Sequence, residues 1–210
     1  QISTRVTELE QIGGSRILLQ GGVNPELNLD WYTDLISKLR TSHPTIDLDC
    51  FSPIEIEGIA EVCDLSTYEV LLKLKNAGMH GLPGGGAEML VDSVRMDISP
   101  KKGSADNWIR VMREAQEIGL TTSATNVIGF GESRADRILH MDRIRSAQDN
   151  AISSGNIGFT SFISWPVQLE NNVFGARNRG DNRTRLGATS TEYLRHVAAF
   201  SYTHLRAHET

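Results

Sequence analysis

The sequence predicts an α/β fold of parallel strands, and more narrowly an incomplete parallel (β/α) barrel. Short apolar runs alternate with stretches of helical spacing along most of the chain. Capping pairs open the helices and glycines close them. Each apolar run also ends in glycine or polar chemistry: Gln20-Gly21-Gly22, Ser52-Pro53 with Glu55, Gly84-Gly85-Gly86 with Glu88, Gly129-Phe130-Gly131 with Glu132, and Trp165 with Gln168. An open doubly wound sheet satisfies the first two observations but gathers its site at one switch point. Five successive strand ends that carry chemistry favour a barrel, where all C-terminal ends share one mouth.

The elements follow in order. "RILLQGG" (16–22) reads as a buried strand ending in glycines, and the next helix places Trp31, Leu35, Ile36 and Leu39 on one face. "TIDLDCFSP" (45–53) alternates as a strand does. Ser66 and Glu69 form a capping box, and that helix stops at Ala77-Gly78-Met79. "HGLPGGG" (80–86) is the next strand with its glycine-rich end. A helix over 104–118 ends at Gly119, and "TTSATNVIGFG" (121–131) follows as a strand. Ser133 and Asp136 open a helix with Ile138, Met141 and Ile144 on its apolar stripe. "IGFTSFISWP" (157–166) is the fifth strand. Residues 176–188 are polar and read as an exposed loop before a helix opened by Thr189 and Glu192.

Composition narrows the function classes. A 39% hydrophobic fraction fits a globular protein, and no run approaches the ~20 apolar residues of a membrane span. No signal peptide is visible. A net charge of −5 and a pI near 5.7 argue against a nucleic-acid partner. Cys50 and Cys63 read as two thiols of a reducing cytoplasm, and the six histidines show no metal spacing, so no metal site is expected on this chain. "GFGES" lacks the spacing of a phosphate fingerprint. "LPGGGAEML" (82–90) demands a reason, because three adjacent glycines suit a sharp turn or a close approach.

Several strand ends carry a family resemblance. "ILLQGGVNPEL", "FSPIEIEGIAEVCDLS", "LKNAGMHGLPGGGAE", "ISPKK" and "FISWPVQ" together resemble the radical S-adenosylmethionine enzymes of the futalosine route to menaquinone. "LPGGGAE" is similar in aminofutalosine synthase and the deazaflavin-forming synthases, whereas "LLQGGVNPE", "SPKK" and Trp165-Pro166 resemble the dehypoxanthine futalosine cyclase branch. The resemblance implies a TIM-type barrel with S-adenosyl-L-methionine and a 4Fe–4S cluster in its mouth. It implies a cytoplasmic enzyme with a small-molecule substrate and a reducing electron donor, and no nucleic acid or membrane. In the cyclase, a 5′-deoxyadenosyl radical takes hydrogen from the ribose, and the carbon radical closes onto the benzoate ring.

Roles follow from the resemblance. Gly21 and Gly22, beside Gln20, would let carbonyls approach the methionine ammonium. Gly84, Gly85 and Gly86 would let the adenosyl group or substrate lie on bare backbone. Ser52 and Glu55 would join the cofactor site from a strand-to-helix turn, or else Glu55 would complement a helix N-terminus. Glu88 would accept hydrogen bonds from an ammonium or hydroxyl, or else complement a helix N-terminus. Asn126 is expected to point into the barrel, as a cofactor contact or a layer amide. Trp165 and Gln168 would frame the substrate's aromatic ring, or else Trp165 packs in the core, and no catalytic residue is assigned. The family's C-x3-C-x2-C cluster motif is missing, which predicts a longer parent chain and no catalysis by this one. Gln1 in place of a start methionine, and a 201–210 tail resembling a translated sequencing adapter, predict a partial barrel domain over 1–200. An aminofutalosine or deazaflavin synthase, or a cofactor-binding module without radical chemistry, are the alternatives.

Overall fold

The computed structural model describes residues 1–177 and 186–205. Its elements are α1 (Ile2–Gln11), β1 (Arg16–Leu19), α2 (Leu29–Ser42), β2 (Asp47–Cys50), α3 (Pro53–Cys63), α4 (Thr67–Ala77), β3 (Gly81–Leu82), α5 (Asp92–Ile98), α6 (Ala105–Glu117), β4 (Thr121–Ile128), α7 (Arg134–Ser153), β5 (Phe159–Pro166), α8 (Val173–Arg177) and α9 (Ser190–Leu205). The strands are parallel, in the unreversed order β1-β2-β3-β4-β5. Helices pack on one face, where Leu48, Cys50, Leu82 and Ala124 share a core with Ile36, Leu71, Leu74, Trp108 and Met112. The other face stays open: Leu18 is 66% exposed and Trp165 47%. A sheet with no order reversal and one bare face is a half-barrel, as the strand-end pattern predicted.

Local sequence explains most boundaries. Ser66–Glu69 and Ser133–Asp136 both form reciprocal capping boxes, and Gly78 ends α4 at φ +116°. Two apolar stripes sit beside their expected positions. On α2 the buried set is Leu29, Tyr32, Ile36 and Leu39, while Trp31 is exposed and meets Tyr32 edge-on. On α7 Met141 and Ile144 are buried but Ile138 is not. Helical spacing admits adjacent stripes, and packing chooses between them.

β3 is shorter than the expected 80–86 strand. Past Leu82, side chains of β4 replace the ladder: the Gly84 N–H donates to Ser123 Oγ at 3.1 Å, and the Thr125 hydroxyl donates to the Gly84 carbonyl. The two backbones run so close that a Cβ on Gly84 would lie 2.2 Å from the Ser123 carbonyl oxygen. At the far end, Phe200 of α9 stacks on Phe162 of β5 with ring centroids 3.6 Å apart, and the Tyr193 hydroxyl donates to the Ser164 carbonyl. α9 continues unbroken across residue 200. Most of the expected 176–188 loop and residues 206–210 of the expected tail lie outside the described residues. Among the described residues no helix is long and apolar enough to cross a membrane.

Gly84→Ala forces a methyl group onto the Ser123 backbone and should destabilise by ~1–3 kcal/mol, the range for overpacking. Gly21→Ala meets no atom within 4 Å of the new Cβ and should stay within ~0.5 kcal/mol of the parent. Urea unfolding of both variants checks this; equal effects would mean that β3 and β4 do not approach so closely.

Candidate functional site

Parallel pairing brings five strand ends to one end of the half-barrel. After β1, the Gln20 side-chain amide donates to the Phe51 carbonyl at 3.1 Å. The N–H groups of Gly21 and Gly22 both donate to Glu55 Oε1, each at 2.9 Å, and the Ser52 hydroxyl donates to Glu55 Oε2 at 2.7 Å. The third strand end packs on this unit. A Cβ on Gly85 would lie 2.8 Å from Gln20 Nε2, and one on Gly86 would lie 2.6 Å from Ile54 Cγ1. Gly86 also holds φ +82°. Gln20, Gly21, Gly22, Ser52, Glu55, Gly85 and Gly86 therefore form one assembly, with Gly84 at its β4 seam.

The triple glycine has a packing reason. Each carbonyl over 84–88 is held from inside the protein. Thr125 donates to Gly84, Trp108 Nε1 to Gly85 at 3.2 Å, Arg95 Nη1 to Gly86 at 3.1 Å and to Ala87 at 2.6 Å, and the Val127 N–H to Glu88 at 2.8 Å. Arg95 is 2% exposed and also donates to the Lys102 and Gly103 carbonyls, both at 3.0 Å. Burial lowers its pKa, and the carboxylates of Glu88, Asp92 and Glu57 oppose that shift. Glu88 does not open a helix, since α5 begins after Val91. It holds φ +37°, pairs with Lys102 through Oε1, and buries Oε2 with no hydrogen-bond partner among the described residues. Arg95, Lys102, Trp108 and Thr125 are absent from the sequence-derived site. Only Lys102 carried a signal there, in "SPKK".

Asn126 lies elsewhere. The sequence places it inside the barrel, but strand alternation turns Ser123 and Thr125 toward the Gly84 loop and Ala124, Asn126 and Ile128 toward the helices. Asn126 is fully buried, and its Oδ1 accepts from the Ser164 hydroxyl at 2.6 Å and from His196 Nε2 of α9 at 3.0 Å. Trp165 pairs in register with Val127 and stands half exposed on the open face of β5; Gln168 is exposed beyond that strand. Glu132 accepts from the Gly129 and Phe130 N–H groups and from Arg137, so it shapes the turn into α7.

The two groups that the sequence resemblance implies meet different tests. Gly21 and Gly22 are exposed, with no atom within 4 Å of where their Cβ atoms would stand, so a ligand can reach their backbone. This fits S-adenosylmethionine. An iron–sulfur cluster does not fit. Cys50 is buried in the core, where burial pushes its thiol up to about 12, and Cys63 lies at the far end of α3. Among the described residues no group of three His, Cys, Asp or Glu side chains can hold a metal ion.

The profile of the radical SAM superfamily matches residues 1–144. The chain belongs to that superfamily. A curated cyclic dehypoxanthine futalosine synthase of Halalkalibacterium halodurans is 41% identical over 197 residues, 94% of this chain and 50% of its own length. Aminodeoxyfutalosine synthase of Thermus thermophilus is 36% identical, over 87% of this chain and 47% of its own. A 5-amino-6-(D-ribitylamino)uracil–L-tyrosine 4-hydroxyphenyl transferase of Methanococcoides burtonii is 33% identical over 87% and 50%. This radical SAM chain thus spans about half the length of the curated relatives it matches. The solved structure of methylornithine synthase superposes at a TM-score of 0.56 with 16% identity, covering 70% of this chain and 40% of that one, and so shares the fold.

The polar layer behind the sheet yields a pH prediction. His140 Nδ1 accepts the Leu90 N–H at 3.0 Å. Burial holds the pKa of His140 down at about 3, with His196 and Arg95 lowering it further. Burial likewise holds His196 at about 4, where Arg137 also lowers it and Glu132 raises it. Both are neutral when folded, whereas an unperturbed histidine titrates near 6.5. The unfolded chain therefore binds more protons as pH falls through this window. The stability is complete above pH ~6.5, and each histidine removes up to ~1.4 kcal/mol per pH unit on acidification below it. His140→Gln keeps an acceptor for Leu90, and its urea midpoint should fall less steeply between pH 6.5 and 4 than the parent's. Equal slopes would mean that His140 is charged in the folded state.

Proposed function

We propose that the chain forms the S-adenosylmethionine-holding wall of a radical SAM enzyme that cyclises dehypoxanthine futalosine. The observation that carries this reading is the 41% identity over 94% of the chain to a curated cyclic dehypoxanthine futalosine synthase, against 36% and 33% for the two relatives of other activity. The strand-end assembly supports it, since it joins Gln20-Gly21-Gly22, from a motif that resembles the cyclase branch, to the Gly84-Gly85-Gly86 turn that the related synthases share. In this reading Gln20, Gly21, Gly22, Ser52, Glu55 and the Gly84-Gly85-Gly86 turn build the cofactor pocket. Glu88, whose buried Oε2 has no partner among the described residues, accepts from a hydroxyl or ammonium of the ligand. Trp165 and Gln168 stand on the opposite wall to frame the substrate's ring. Asn126 faces α9, and this reading leaves it outside the cofactor pocket. The cofactor supplies the adenosyl group; this chain's residues bind it, orient it and exclude water. The enzyme works in the cytoplasm on a small-molecule substrate with a reducing electron donor.

A chimera tests the reading: residues 1–200 replace the matching segment of the Halalkalibacterium halodurans synthase. It should cyclise dehypoxanthine futalosine and form 5′-deoxyadenosine. A soluble, cluster-bearing chimera that lacks this activity but makes aminodeoxyfutalosine would transfer the assignment to that synthase. The 210-residue chain alone, after anaerobic reconstitution, should show no cluster absorption and no 5′-deoxyadenosine; stoichiometric cluster with cofactor cleavage would overturn this.

Glu88→Gln keeps the volume and removes the charge. In the chimera it should weaken S-adenosylmethionine binding by ~1.5–3 kcal/mol, the range for a hydrogen bond to a charged group, with little change in Tm. Unchanged affinity beside a lowered Tm would confine Glu88 to its pairing with Lys102.

A further inference from the structure

Four helix starts among the described residues carry a hydroxyl residue followed three positions later by an acid, the sequence of a capping box. Three use it locally. Ser66–Glu69, Ser133–Asp136 and Thr189–Glu192 each keep the carboxylate on the backbone N–H of the residue that begins its own helix. The fourth, Ser52-Pro53-Ile54-Glu55, does not. The Ser52 hydroxyl caps no backbone N–H, and instead donates its proton to Glu55. Glu55, 6% exposed, reaches across to the end of β1 and accepts both glycine N–H groups. The residue before this turn, Phe51, holds φ +66°, a conformation bulky residues avoid. It redirects the chain at the end of β2, so that α3 starts beneath Gly21 and Gly22.

We infer that Glu55 is a positioning residue, whose carboxylate fixes the β1 end so that two carbonyls face a ligand ammonium. This rests on the cofactor reading above. A trans peptide sets its C=O opposite its N–H. The N–H groups of Gly21 and Gly22 belong to the peptides that carry the Gln20 and Gly21 carbonyls. Holding both N–H groups on Glu55 turns those two carbonyls away from it, and neither has a hydrogen-bond partner among the described residues. An ammonium donates to such a pair, and the carboxylate behind the same peptides polarises them in the direction that strengthens the bond. Glu55 acts through the glycines and does not touch the ligand.

The test compares two ligands on the 210-residue chain and on its Glu55→Ala and Glu55→Gln variants. S-Adenosylmethionine carries the amino group; 5′-methylthioadenosine keeps the adenosyl and methyl groups on sulfur and lacks the aminocarboxypropyl arm that bears the amine, and with it the sulfonium charge. Glu55→Ala should weaken S-adenosylmethionine binding by about tenfold or more and leave 5′-methylthioadenosine within about twofold. Glu55→Gln retains an oxygen that can accept both N–H groups and should recover most of the loss. In the absence of ligand, amide exchange at Gly21 and Gly22 should quicken in Glu55→Ala, while the amides of β4 keep their rates. Equal weakening of both ligands, or unchanged glycine exchange, overturns the positioning role. If the unaltered chain binds neither ligand while the exchange result holds, Glu55 still sets the glycine geometry and the cofactor reading beneath it fails.

Discussion

One buried guanidinium organises the mouth of this half-barrel. Arg95 is almost fully removed from solvent and gathers four carbonyls, from Gly86, Ala87, Lys102 and Gly103. Burying an unpaired charge is costly, and four hydrogen bonds from a planar fork of five donors offset that cost. The two segments it joins are the glycine turn after β3 and the loop that presents Lys102. The Glu88–Lys102 pair exists because Arg95 holds both backbones in place. Trp108, buried in α6, adds a fifth tether at Gly85 and carries the constraint into the core.

Two polar layers lie on opposite sides of β4 and differ in character. At the mouth, the β1 glycines remain exposed while their N–H groups are held by Glu55, so the geometry is fixed and the surface stays free. Behind the sheet, Asn126, Ser164, His140 and His196 are buried among helices, with the histidines held neutral. In the proposed reading the first layer is the one that receives the ligand. The second ties α9 to the sheet, together with the Phe162–Phe200 stack.

Much of this was legible in the sequence, and the rest was not for physical reasons. Apolar alternation, capping pairs and closing glycines marked the five strands and most helices, because those signals are local. The shared strand-end assembly was legible too, since parallel topology forces strand ends together. Asn126 was misplaced because β4 is buried on both faces near its end, so alternation gave no contrast between inside and outside. Arg95 was invisible: a charged residue in a short helix reads as solvent-exposed until the carbonyls around it are known. The capping pattern at Ser52–Glu55 matches the three used as caps, and only tertiary structure shows that its carboxylate serves another strand.

The open sheet has a further consequence for the behaviour of the chain in solution. Among the described residues β1 and β5 each pair with one neighbour only, so each leaves a margin of unsatisfied backbone groups. The margins are not equivalent. Arg16 on β1 bridges Asp47 and Asp49, a charged cluster that disfavours a foreign strand. β5, "FTSFISWP", carries no charge, places Ile163 and Trp165 on its bare face, and is interrupted only by Pro166 at its end. Of the two margins, β5 is the one open to the addition of a foreign strand, and a lysine placed there would blunt it.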